Sequence, residues 1–417
     1  MFPRLLEPRL REILSDTPVA GLIGPRQSGK TTLAKLVSEP GRAYLTLDDP
    51  NVLAAALADP IGLIGDVDRV VIDEIQRAPE LMLAIKHSVD ADRRPGRFLL
   101  TGSANIIAAP RMQDSMAGRI ETVTLLPLSF AERLGSSARK NAEHGRFLDL
   151  AFLGAPYRGQ TSSTDTLLGS RLIDAVLTGG YPEAVARTSD RRRRDWFRAY
   201  ARAIVERDLR DIAVVERSAQ LPVFLQALAL LNSQLINLTD LGARIGVDRK
   251  TAERYLNLLE QLFIVERLPA WSRSGLQRLV KAPKLHFVDS GLAAALRGVS
   301  AAQIVADRTY FGPLLETAVL SELRKQAGWY DGHVRFSHYR DKDGVEVDVV
   351  IENERGQLVG VEVKASATVT AADFAGLRRL QRGAREFVVG YVMYDGARVL
   401  PFGDGMYAMP ISALCNA

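Results

Sequence analysis

Glycines, a lysine, a hydroxyl and paired carboxylates at fixed spacing are the residue types that handle a polyphosphate. The stretch "GPRQSGKTTLAKL" carries Gly24, Gly29, Lys30 and Thr31 in the order G-x-x-x-x-G-K-S/T. Glycine lets the main chain wrap closely enough for consecutive N–H groups to face phosphate oxygens, and a helix that follows adds its positive end. The predicted cradle therefore runs through Gly24, Pro25, Arg26, Gln27, Ser28, Gly29, Lys30, Thr31 and Thr32. Lys30 would reach the β- and γ-phosphates of ATP, and Thr31 would hold Mg²⁺. Such a metal needs a carboxylate across the site, and "DRVVIDEIQ" supplies Asp73 for it, with Glu74 as the base that polarises the attacking water. A further apolar run, "GRFLLTGSANI", ends in Ser103 and Asn105, either of which could sense the γ-phosphate, Ser103 first; a plain strand-terminal turn is the alternative.

A second constellation lies near the other end. Glu316 falls in the amphipathic helical stretch "YFGPLLETAVLSELRKQ", and Asp348, Glu362 and Lys364 in "GVEVDVVIENERGQLVGVEVK". Alternation of period two predicts a hairpin turning at "NERGQ", with Gly356 at the positive φ, Glu362 and Lys364 on one face and Asp348 across from them. Carboxylates from Glu316, Asp348 and Glu362 could hold a metal for phosphodiester cleavage, with Lys364 orienting water or neutralising charge. The inert alternative is an exposed strand face whose charges simply pair. The five histidines, His333 and His338 among them, show no ligand spacing and read as structural.

The elements that must position these residues follow from pattern. Pro18 onward reads strand, loop, then a helix with Leu33, Leu36 and Val37 on one face. Val70–Ile72 form an unbroken β-branched run, as in a parallel strand buried on both sides. Around 135–168 the chain turns rich in Gly, Ser, Ala and charge, which suits a linker or insertion. "RTSDRRRRDWFRAYARAIVERDLRDI" is basic with interleaved aromatics; it would either track a phosphate backbone or present a solvated helix face with its rings inward. "INLTDLGARIGVDRKTAERYLNLLEQLFIVERL" reads as a helix-turn-helix: Thr239 or Asp240 caps the first helix and Asp248 the second. Ala252, Leu256, Leu259 and Leu262 then face inward, and Arg249, Lys250, Glu253 and Arg254 outward. "RLPAWSRSGLQRLVKAPKLHFVD" looks like a basic β-wing behind it. DNA contact and a protein-contact lid are both open to this module.

Bulk properties narrow the class. At 417 residues the chain needs two to four domains, and 47% apolar with 25% charged residues is ordinary for a globular protein. No run approaches the roughly 20 apolar residues of a membrane helix, and "MFPRLLEPRLREIL" lacks the apolar core of a signal peptide, so a cytoplasmic protein without membrane partners is expected. A lone Cys415 makes neither an internal disulfide nor a cysteine-based zinc module. A net charge of +5 and pI of 9.3 permit nucleic acid without requiring it.

The motifs "GPRQSGKTT", "VVIDEIQ", "FLLTGSAN" and "AGRIETVTLLPLSFAE", with "TGGYPEAV" and "VERDLRDI" further on, resemble a family of bacterial and archaeal AAA+ ATPases whose carboxyl-terminal part is a domain of unknown function. The resemblance implies ATP with Mg²⁺, and an arginine near the end of the core that stabilises transition-state charge, often on a neighbouring subunit of a homo-oligomer. Arg119 matches best by position, with Arg111 behind it; surface arginines are the alternative. The order helix Glu, strand Asp, Glu-x-Lys resembles the PD-(D/E)xK nucleases, although the proline of that signature is absent. The expectation is an α/β chain: a P-loop parallel-sheet ATPase core over 1–130, a linker and helical lid region over 131–215, a winged helix-turn-helix over 216–300, and a restriction-endonuclease-like α/β domain over 301–417. Its predicted work is Mg²⁺-dependent ATP hydrolysis coupled to DNA binding and DNA cleavage, or else a non-cleaving switch that recruits proteins.

Overall fold

The computed structural model describes residues 2–65, 67–103, 116–135, 147–154, 167–208, 220–274, 278 and 281–415. The chain divides into two compact units, the first made of residues 4–127 with 261–263, the second of 1–3, 128–260 and 264–417. Asn105, Arg111, residues 209–212 and most of the 135–168 segment lie outside the described residues.

The first unit is built on five strands: β1 (Val19–Ile23), β2 (Ala43–Thr46), β3 (Val70–Asp73), β4 (Phe98–Gly102) and β5 (Ile120–Thr124). They run parallel in the order β2-β3-β4-β1-β5. Because side chains alternate across a strand, each apolar run feeds two cores. Val19, Val70, Ile72, Phe98 and Leu100 pack on one face with Ile85 and Leu81. Ala20, Leu22, Val71 and Leu99 pack on the other with Leu33, Ala34 and Val37 of the helix Lys30–Val37. That explains why β1, β3 and β4 open as unbroken apolar runs rather than alternating. Leu36, expected on the same face, is 43% exposed, because at 3.6 residues per turn positions 33, 34 and 37 make the buried stripe and 36 falls off it.

The second unit holds two sheets and most of the helices. β6 (Gln234–Leu235), β7 (Val265–Leu268) and β8 (Lys284–Phe287) form a small antiparallel sheet with β8 in the middle. β9 (Val334–Arg340), β10 (Glu346–Asn353), β11 (Leu358–Lys364), β12 (Phe387–Tyr394), β13 (Leu400–Pro401) and β14 (Met406–Pro410) form a mixed sheet in the order β13-β14-β12-β11-β10-β9. The expected hairpin is β10 and β11, antiparallel, turning with Gly356 at φ +74°. The arginine-rich stretch forms the helix Asp190–Ala203, which takes its solvated form. Trp196, Phe197 and Tyr200 cluster around Tyr181, with Trp196 and Tyr200 stacked at 5.2 Å. Arg193 is buried against Asp174 and Asp190, 3.2 Å from each.

The helix pair is Leu238–Ile245 and Arg249–Gln261. Its first cap is Asn237, which accepts from the amides of Thr239 and Asp240, so the helix starts earlier than a Thr239 or Asp240 cap would allow. Asp248 caps the second, accepting from the Thr251 amide at 2.9 Å, and Ala252, Leu256, Leu259 and Leu262 are buried while Arg249, Lys250, Glu253 and Arg254 are exposed. A basic β-wing is not shown: among the described residues of that stretch Trp271, Lys284 and His286 are buried and Arg278 pairs with Glu352 at 2.7 Å. Among the described residues no helix is long and apolar enough to cross a membrane.

Candidate functional site

β1 runs into the glycine loop, and the loop into the helix Lys30–Val37, so the predicted cradle sits at the carboxyl edge of the parallel sheet, where such folds bind ligands. Gly24 has φ +147°, and a β-carbon there would come within 2.3 Å of the Leu125 carbonyl oxygen; no side chain fits. Gly29 has φ +98°, a left-handed entry into the helix. Lys30 is buried and its ammonium donates to the carbonyls of Gly24 and Pro25 at 2.9 and 2.8 Å. Burial pulls Lys30 down to about 8, a shift resisted by Glu74 and Asp73. Ser28 is buried, whereas Thr32 faces outward.

Asp73 ends β3 and is ringed by hydroxyls. Thr31 donates to it at 3.1 Å, Tyr44 of β2 at 2.6 Å, and Thr101 of β4 donates to its other oxygen. Burial and the Asp73 hydrogen bond hold the Tyr44 phenol well above its ordinary range, so it stays a donor. Glu74 adopts φ +61°, a left-handed backbone uncommon for a residue with a side chain and a recurrent mark of functional sites. Its carboxylate accepts from Gln76 and, at 3.2 Å, from the Ser103 hydroxyl, and Gln76 also donates to Ser103 at 2.9 Å. Ser103 therefore holds Glu74.

Arg119 is the exception. It immediately precedes β5, and Val19, not Ile23, pairs with Ile120, so Arg119 lies at the amino-terminal edge of the sheet. At about 3.3 Å per residue, roughly 13 Å of strand separates that edge from the start of the glycine loop. Its guanidinium instead meets Asp90 at 2.7 Å. A role for Arg119 on its own chain's phosphates is ruled out by this register.

Sequence reasoning missed Tyr44, Gln76, Thr101 and Arg4. The hydroxyls stood in plain sight on strands next to Asp73; Arg4 carried no local signal. Its guanidinium donates to the Ser28 carbonyl at 2.5 Å and the Leu126 carbonyl at 2.6 Å, bracing the loop from behind.

In the second unit Glu316 and Asp348 converge, but around another lysine, while Glu362 pairs with Lys364. The Lys284 ammonium donates to Glu316 and Asp348, both at 3.0 Å, and lies 3.6 Å from Glu346. Asp348 also accepts from the Val363 amide at 2.9 Å, and Glu316 from the Ser233 hydroxyl. Lys364 sits 3.6 Å from Glu362 and 3.5 Å from Asp373. Burial works against the Lys284 charge, but Asp348 and Glu316 more than offset it and hold it above the lysine range. Burial, with Asp348 adding to it, raises Glu316 to about 8, and the same causes push Glu362 up. Among the described residues no cluster of three or more His, Cys, Asp or Glu is arranged to hold a metal ion.

Residues 16–134 match the family model described as AAA domain. Residues 169–303 and 311–414 match two domains of unknown function, DUF8612 and DUF4143, so the nuclease resemblance of the carboxyl-terminal part gains no support. Uncharacterized proteins of Mycobacterium bovis and Mycobacterium tuberculosis are each 29% identical over 410 residues, spanning 96% of this chain and 82% of theirs. Among solved structures, AMPPCP-bound DnaA from Aquifex aeolicus aligns over 61% of this chain and 86% of its own at 13% identity and TM-score 0.29. A Thermotoga maritima RuvB variant aligns over 64% and 87% at 17% identity and TM-score 0.30. Both likenesses are too loose to carry an argument. The AAA domain match falls on the segment that holds the glycine loop, Asp73 and Glu74, and it supports an AAA-type ATPase whose chemistry is nucleotide binding and hydrolysis.

Proposed function

We propose that the chain binds and hydrolyses Mg²⁺-ATP in its first unit and that nucleotide state governs contact between its second unit and DNA. The observation that carries the first half is the meeting of Lys30, Thr31, Asp73 and Glu74 at one sheet edge. The loop amides from Gly24 to Thr32 cradle the phosphates, and Lys30 exchanges its two carbonyl partners for β- and γ-phosphate oxygens. The donor set around Asp73 fits a hard cation, since a hydroxyl and a carboxylate face each other at 3.1 Å. Thr31 and Asp73 would hold Mg²⁺, which when bound neutralises phosphate charge. Glu74 accepts the proton of the water that attacks the γ-phosphorus as the β–γ bridge breaks, giving ADP and phosphate. Ser103 and Gln76 aim that carboxylate. Arg119 is left for a neighbouring copy's nucleotide, at the cost of its Asp90 pair.

DNA contact draws support from Arg249, Lys250 and Arg254 standing exposed on the second helix of the pair, and from the basic balance of the chain. A specific observation favours the non-cleaving switch over a nuclease: the Lys284 ammonium lies between Glu316 and Asp348. The test is ATP turnover with and without duplex DNA at rising salt. Stimulation that fades steeply with salt and disappears in Arg249→Ala/Lys250→Ala supports the coupling. Turnover indifferent to DNA at every salt concentration overturns it.

A further inference from the structure

We infer that Lys284 stands where a divalent cation would sit, making the acidic cluster of the second unit a metal-free joint between β8 and the six-stranded sheet instead of a cleavage centre. The inference is independent of the ATPase reading, because it concerns other residues in the other unit.

The orientation of the carboxyl groups comes first. A metal of the Mg²⁺ class asks for carboxylate oxygens at about 2.1 Å that are free to turn toward it. Asp348 is turned so that one oxygen accepts from Lys284 and the other from the Val363 amide. Glu316 spends one on Lys284 and the other on Ser233. Of the three predicted ligands only Glu362 keeps a buried oxygen, Oε2, without a hydrogen-bond partner. A dication on the same oxygens would face an ammonium 3.0 Å from them, with little solvent to screen the repulsion.

Lys284 could act as a gate only if it could leave, and its burial and its fixed backbone oppose that. β8 is hydrogen-bonded to β6 on one side and β7 on the other. Leu285 and Phe287 anchor its opposite face in the core, at 0% and 1% exposure. His286, two residues along and so on the same face as Lys284, is buried, with Nδ1 3.0 Å from the Thr317 hydroxyl. The stretch leading to β8 is fastened as well: the Trp271 amide donates to the His338 carbonyl at 2.6 Å, and the His338 amide to that of Pro269 at 2.9 Å. Swinging the Lys284 side chain out would part its buried ammonium from both carboxyl groups and leave them buried without it.

The full-length protein without nucleotide is titrated with Mn²⁺, reading bound metal by paramagnetic resonance and thermal midpoint by calorimetry, for the natural chain, Asp348→Asn, Glu362→Gln and Lys284→Met. Comparing the natural chain with Asp348→Asn isolates this cluster from Thr31 and Asp73, which are common to both. The inference expects equal Mn²⁺ uptake by the natural chain, Asp348→Asn and Glu362→Gln. It also expects a lowered midpoint in Lys284→Met that millimolar Mn²⁺ partly restores, a rescue lost in Lys284→Met/Asp348→Asn. It is overturned if the natural chain binds one Mn²⁺ that either carboxylate variant loses, or if folded Lys284→Met gains no Mn²⁺. Should Lys284→Met not fold, the three remaining proteins decide the question alone.

Discussion

Two of the buried lysines, Lys30 in the first unit and Lys284 in the second, lie near carboxylates and have opposite availability. Lys30 opens a helix behind a glycine loop, and its hydrogen bonds go to two backbone carbonyls. Lys284 sits on the middle strand of a sheet, and its bonds go to two carboxylates. An ammonium is attracted more strongly to an anion than to a neutral carbonyl, so a phosphate displaces the two carbonyls from the first lysine, whereas the second already faces carboxyl groups. Residue composition alone does not separate a ligand site from a joint. What separates them is whether the cation's partners are neutral and exchangeable or charged and already shared.

The contrast can be attacked from the open side first. Glu74→Gln keeps the carboxamide within reach of Gln76 and Ser103 but cannot take a proton, so turnover should fall by about 10²- to 10⁴-fold while ATP still binds; equal turnover would remove Glu74 from the chemistry. Lys30→Ala removes a charge-assisted contact worth about 1.5–3 kcal/mol, which predicts ATP binding weaker by about 10- to 100-fold in a calorimetric titration. On the closed side, His338 is buried with its Nε2 3.1 Å from the Ala282 carbonyl, and burial, with Lys284, Lys281 and Arg340 nearby, pulls it down to about 4. Its neutral form is therefore favoured by folding. That contribution is whole above the unfolded value of about 6.5 and is lost as pH falls toward 4, amounting to about 2 kcal/mol at pH 5. Denaturant midpoints at pH 7.5 and 5 should show the loss, and His338→Gln should flatten it. The smallest expected effect is at Tyr44, a positioning residue for Asp73: Tyr44→Phe deletes one hydrogen bond, about 1 kcal/mol. It should raise the Mg²⁺ concentration for half-maximal turnover several-fold and leave metal-free ATP binding unchanged, a split that general destabilisation would not produce.

The glycine loop was legible because its meaning is local: Gly24 through Thr31 and the β-branched run into Asp73 fix their own conformations within a few residues. Asp348 facing the Glu362 strand was legible for the same reason, since alternation and one turn set that hairpin. Lys284 was not, being 32 residues from Glu316 and 64 from Asp348, in a stretch whose arginines and lysines looked solvent-bound. Nothing in its immediate neighbours says that β8 becomes a central strand. Arg119 was legible only in part: its position along the chain suited the role, but parallel register places it at the amino-terminal edge of the sheet, away from its own chain's glycine loop. Tyr44 and Thr101 were readable in type yet unassigned, because strand order decides which neighbours flank β3.

All three tryptophans, Trp196, Trp271 and Trp329, belong to the second unit, and residues 4–127 contain none. Light absorbed only by indole therefore samples the unit that does not hold the glycine loop. Any change in that emission when ATP is added is an optical record of one unit informing the other, obtained without attaching a dye.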